Sequence, residues 1–186
     1  MSHDCVHDTA WVQAPIDRVW ALSRRVELVK ETLGMNLAGG QTTGFVEAGS
    51  RVVWSGWKFG LPTKHHTLIT GYAAPHAAIA DPRAEPTLGP ELHAEHPGQR
   101  VAWFQDSQER GRFAFFQHDH WMREQTAANG EPQTLLEDEV HFRLPFGVLG
   151  RLAARFLMEP YIRRLVKRRF GRLKALAEGE GWRQWM

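Results

Sequence analysis

The sequence predicts an α+β domain: a curved antiparallel sheet of six to seven strands around one long C-terminal helix, with two short helices after the first strand. Three observations predict it. Apolar residues recur at helical spacing over residues 146–177, at Leu149, Leu152, Ala153, Phe156 and Leu157, then at Ile162, Leu165, Val166, Phe170, Leu173 and Leu176. Most of the chain upstream reads as strands, several of them parted by turn residues such as Asn129-Gly130. The strand–helix–strand alternation of a parallel sheet is missing.

At 186 residues the chain is long enough for one domain, 1–186, with a core of its own, and 42% hydrophobic with 24% charged residues is the balance of a folded protein. The single cysteine, Cys5, excludes an intramolecular disulfide. No run of about 18 apolar residues is present to span a bilayer. The first residues lack the charged-then-apolar order of a secretion signal, so the expected location is cytoplasmic.

Residues 6–13 read as a strand closed by Ala14-Pro15. A short helix follows over 16–24, with Ile16, Val19, Trp20 and Ser23 on one side, and a second over 26–33, stopped by Gly34. Residues 37–47 hold three glycines and form a weak strand or loop. Residues 51–59 alternate, with Val52 and Trp54 on one face and Val53 and Trp57 on the other, before a turn at Gly60-Leu61-Pro62 and a strand over 64–72. Residues 74–99 carry five of the ten prolines and no sustained period, a long surface insertion. Three strands, 100–108, 112–125 and 133–144, then form a meander into the helix. Pro160 kinks that helix near 156–160 without splitting it, because the apolar stripe resumes in nearly the same phase.

Nine of the 23 Lys and Arg lie between Arg151 and Lys174, eight of them opposite the stripe. They read first as a solvated face and secondly as a contact with an anionic membrane surface. Without a base-stacking motif or a nucleic-acid fold signature, no nucleic-acid partner is expected.

In strand 133–144 the face Leu136, Asp138, Val140, Phe142, Leu144 is the inward one, and it takes a carboxylate with it. Strand 112–125 has aromatics on both faces; Phe116, His118, His120 and Met122 are assigned inward because Asp119 and Arg123 suit water better. Two imidazoles and a carboxylate on an inner surface must be paired or wet, which a cavity with water or a partly polar ligand provides.

The runs Phe116-Gln117-His118-Asp119-His120-Trp121-Met122 and Glu137-Asp138-Glu139-Val140-His141-Phe142, with Pro145-Phe146-Gly147 after them and Ala14-Pro15-Ile16-Asp17 before, resemble the START/Bet v 1-like (SRPBCC) superfamily. They are most similar to its bacterial polyketide cyclase/dehydrase-like, ligand-binding branch. The resemblance covers most of the chain and implies a helix-grip fold, a seven-stranded sheet around a long helix, enclosing a pocket for lipids, polyketides or other apolar molecules. The chain departs from that pattern at 75–99.

The expected function is binding of a lipid- or polyketide-like molecule between sheet and helix. The expected wall is Trp54, Trp57, Trp103, Phe116, His118, His120, Met122, Val140 and Phe142 from the sheet and Leu149, Phe156 and Leu157 from the helix. The alternative is a cyclase or dehydratase with His118, His120 and Asp138 as catalytic acid and base. A third reading is a peripheral membrane or adaptor protein using the basic helix. His118-x-His120 could chelate a metal with Asp106, Asp138 or His66, but the motif is short, so no metal and no cofactor is expected. Monomer and homodimer are both compatible with the sequence.

Overall fold

The computed structural model describes residues 3–75 and 99–186; the proline-rich connection falls outside them except at its two ends. The described chain runs β1 (Asp4–Val12), α1 (Ile16–Ser23), α2 (Val26–Leu33), β2 (Asn36–Gly40), β3 (Arg51–Lys58), β4 (Leu61–Ala73), β5 (Val101–Arg110), β6 (Phe115–Thr126) and β7 (Pro132–Arg143). It ends in α3 (Gly147–Ala153), a π-helical turn (Ala154–Met158), α4 (Glu159–Glu178) and a 3-10 turn (Gly181–Trp185).

The seven strands form one sheet in the order β1-β7-β6-β5-β4-β3-β2, antiparallel throughout. Strands β2 to β7 are a plain meander, while β1 pairs with β7 at the far edge. Helices α1 and α2 therefore carry the chain from one edge to the other. Pro15 offers no side-chain cap to α1; Glu124 of β6 accepts the Ile16 N–H instead, at 2.7 Å, which satisfies one of the exposed N–H groups that begin any helix.

The main core lies where α4 crosses the β1–β7–β6 end. Val6, Met122, Leu136 and Phe142, all at or below 1% exposure, pack with Ile162, Val166, Phe170, Leu173 and Leu176 in one cluster. Each such side chain contributes about 2 kcal/mol by leaving water. A second cluster, Val26, Met35, Val46, Val52, Trp54 and Ile69, closes the other end under α2.

The C-terminal stripe differs from the sequence expectation. After Pro160 it packs inward, but before it Leu149, Leu152, Phe156 and Leu157 are exposed, and Gly150 and Ala154 are the buried residues of that stretch. Proline lacks an N–H and its ring crowds the carbonyl four residues back. The chain answers with a widened turn, in which the Glu159 N–H reaches the Ala154 carbonyl five residues back. One extra residue in a turn rotates everything before it by about 100° relative to α4. The phase is thus broken at Pro160.

Candidate functional site

Between the sheet and the C-terminal helix lies a cavity of about 600 Å³, within the size range of small-molecule sites. Val52 and Trp54 of β3, Ile69 of β4 and Phe116 of β6 line one side, and Leu149, Ile162, Leu165 and Val166 line the other. Strand alternation sends every second residue inward, which also brings His65 and Thr67 of β4 to the wall.

One end of the cavity is polar. Asp106 of β5 and His118 and His120 of β6 line it, and Arg169 reaches it from α4. Behind the imidazoles, with no exposure, stands Asp138 of β7. The strand register makes this meeting: Asp106 pairs with His118, and His120 with Asp138. His120 bonds Asp138 Oδ1 through Nδ1 at 3.0 Å and Asp106 Oδ2 through Nε2 at 3.1 Å. His118 Nε2 lies 3.2 Å from Asp138 Oδ2 without the alignment of a hydrogen bond. Arg169 Nη1 donates to both Asp138 oxygens at 2.8 Å. The ring of Phe104 stacks on His120 with centroids 4.1 Å apart.

The two imidazoles are driven apart in basicity. Burial and the neighbouring His120 lower the pKa of His118 more than Asp138 and Asp106 raise it. Burial and Arg169 also push His120 down, but Asp138 and Asp106 outweigh them and leave it raised. Burial opposes the Asp138 charge, yet Arg169 and then the two histidines hold its carboxyl well below the ordinary range. A basic and an acidic imidazole side by side are the groups that general acid–base chemistry uses. Four buried polar atoms on wall residues, Ser23 Oγ, His118 Nε2, Tyr161 Oη and Arg169 Nη2, lack hydrogen-bond partners among the described residues.

Solved structures share this architecture. A protein from Thermus thermophilus superposes with TM-score 0.58 at 14% identity over 94% of this chain and 99% of its own. A START superfamily protein from Mycobacterium smegmatis gives 0.57 at 13% identity over 94% and 99%. The fold is that of the START/Bet v 1-like superfamily. Norcoclaurine synthase from Thalictrum flavum, solved with dopamine and hydroxybenzaldehyde, also matches this chain, with TM-score 0.56 at 7% identity over 91% and 86%. No protein-family model and no curated protein sequence matches the chain.

Of the residues expected from sequence to form the wall, Trp54, Phe116, His118, His120, Val140 and Leu149 lie on it. Met122 and Phe142 are sealed into the main core beyond it. Trp57 projects from the outer face and is 70% exposed, since β3 turns Val52 and Trp54 inward. Trp103 is also on the outer face: its neighbours Ala102 and Phe104 belong to the core, and its ring stacks on Trp121 at 5.2 Å. Asp119, assigned to water from sequence, is buried there and accepts from Trp103 Nε1, Gln105 Nε2 and Gln117 Nε2. Phe156 and Leu157 lie off the wall and exposed, as the rotated turn requires. Asp138 stands behind the wall, so it orients the histidines and does not face the cavity.

Sequence reasoning missed Arg169, His65 and Tyr161 as wall residues. Arg169 had a signal: it falls three residues after Val166 and four before Leu173, in phase with the buried stripe.

Proposed function

We propose that the protein binds an apolar or amphipathic small molecule in the cavity between sheet and C-terminal helix, with the molecule's polar end at His118, His120 and Arg169. The observation that carries this reading is a cavity of about 600 Å³ whose wall is mostly apolar and includes one largely buried cluster of charged and titratable groups, Asp106, His118, His120 and Arg169. The shared fold with START-like proteins supports binding of a ligand in general. Each methylene that enters such a site adds about 0.8 kcal/mol, close to a fourfold gain in affinity. Displacement of anilinonaphthalene sulfonate by saturated carboxylates of increasing length tests this. Affinity should climb about fourfold per methylene and then level off when the cavity is full. Affinity independent of chain length would overturn the reading.

A second observation favours loading of this molecule at an anionic bilayer. Phe146, Leu149 and Phe156 are 82%, 73% and 73% exposed, and Val148 and Leu152 join them on the surface. Contiguous exposed apolar side chains on a helix commonly mark an interaction site. Phe146 and Leu149 also line the cavity, so it opens beside this patch. Arg151, Arg155, Arg164 and Arg168 have no acidic partner among the described residues, which leaves their charge for lipid phosphates. Co-sedimentation should be strong with phosphatidylserine-containing vesicles, weak with pure phosphatidylcholine, and lost in Leu149→Glu/Phe156→Glu. Equal binding of that variant and the native chain would remove the patch from the account.

A further inference from the structure

The polar end of the cavity contains an arrangement that holding a small molecule does not require. His120 Nε2 and His118 Nδ1 approach the same atom, Asp106 Oδ2, at 3.1 and 3.8 Å. One donor atom from each of the three residues lies within 4.8 Å of the others. The remaining nitrogen of each ring faces Asp138, at 3.0 Å for His120 Nδ1 and 3.2 Å for His118 Nε2. Asp138 is fixed in turn by Arg169 through both oxygens.

This second tier decides the chemistry of the first. The hydrogen bond to Asp138 favours the ring N–H at Nδ1 of His120, and the carboxylate charge 3.2 Å from Nε2 of His118 favours it there by electrostatics alone. The lone pairs then fall on His120 Nε2 and His118 Nδ1, both turned toward the Asp106 carboxylate. Three electron-rich atoms facing one another repel unless a positive charge lies among them. A proton on one ring joins that ring to Asp106 and leaves the other lone pair unused. A single dication satisfies all three. Donors about 2.1 Å from a metal stand about 3.0 to 3.4 Å apart; the 3.1 Å pair already has that spacing, and the 3.8 Å pair and the two ring nitrogens, within 4.8 Å, draw in to reach it. The charges agree. With neutral imidazoles, Asp106, Asp138 and Arg169 sum to one net negative charge. A dication reverses that to one positive charge, which an anionic group entering from the cavity balances.

We infer that Asp106, His118 and His120 form a binding site for a divalent first-row transition metal at the polar end of the cavity, with Asp138 and Arg169 orienting the two rings. Two imidazoles and one carboxylate leave coordination positions open, and all three ligands line the cavity. The sequence reading set the His-x-His pair aside as short; the strand register supplies the third donor opposite His118.

Chelator-stripped full-length protein titrated with Zn(II), and with Co(II) for its visible absorption, tests the site. The expected result is one equivalent bound, a raised melting temperature, and a Co(II) spectrum showing imidazole ligation. Asp106→Asn and His118→Gln should each weaken uptake at least tenfold, and Asp138→Asn about tenfold to a hundredfold through the lost orientation of the rings. His141→Ala, in the separate Cys5–Glu139–His141 group, should leave uptake unchanged. Circular dichroism establishes that each variant is folded, and Asp106→Asn gives the same readout where His118→Gln does not fold. No uptake by the folded native chain at tens of micromolar Zn(II), or uptake that survives Asp106→Asn and His118→Gln, overturns the inference. The test does not depend on whether an apolar molecule enters the cavity.

Discussion

Arg169 brings a full charge into a helix face that is otherwise Val166, Phe170 and Leu173, and Asp138, its ion-pair partner among the described residues, makes that tolerable. Removing one partner of a buried pair strands the other, at a cost of about 3 to 5 kcal/mol. Arg169→Met should therefore lower the unfolding free energy by about 3 kcal/mol, read by denaturant titration. The double variant Arg169→Met/Asp138→Asn should regain part of that loss, because no charge is then left unpaired. Strictly additive losses would mean that the two residues act separately. Arg169 could have been read as inward from its phase on the stripe, and Asp138 was. Their pairing could not, since it depends on how α4 lies across β7. Cys5 makes a second prediction at this scale. Burial, then the Glu139 carboxylate, raises its thiol to about 11 from an ordinary 9.0. The thiolate is the reactive form, so alkylation by iodoacetamide at pH 8 should run on the order of tenfold or more below a free thiol. Glu139→Gln should speed it; a native rate equal to that of free cysteine would contradict this environment.

The strands and short helices were largely legible as elements, because turn residues and a period of two mark them in the sequence. Faces were harder. Alternation placed Asp138 and Val140 inward on β7, where polar and apolar residues separate cleanly. On β5 both faces begin apolar and turn polar after Phe104, and nothing local indicates that Phe104, not Trp103, turns toward the core. The rotated turn before Pro160 was not legible either: a proline announces a disturbance but not its size. Gly71 gives a prediction for β4. It sits at a break in the β4–β5 register, where an added Cβ would run into the Trp103 ring. Gly71→Ala should cost about 1 to 3 kcal/mol by overpacking, measured by thermal or chemical unfolding. Cavity binding should be unchanged, since Trp103 lies on the outer face. Unaltered stability would show that the ring moves aside freely.

For the molecule as a whole, one physical demand accounts for both fold and cavity. A long amphipathic helix and a curved sheet bury each other, but they touch closely only where α4 meets β1, β7 and β6. Toward β3 and β4, α2 closes the second cluster, and the cavity is lined by residues of both clusters. The sequence predicted such an enclosure from the polar groups it placed inward. It could not give the volume, because a void is a property of how large elements fail to meet. The most direct test fills that void. Ile69 is 5% exposed and lines the cavity from β4. Ile69→Trp should keep the native far-ultraviolet dichroism and a melting temperature within a few degrees, yet lose at least a hundredfold in affinity for the longest carboxylate that the native protein binds. If this variant, folded, binds that carboxylate as tightly as the native chain, the ligand lies on the exposed apolar patch and the cavity is not the binding site.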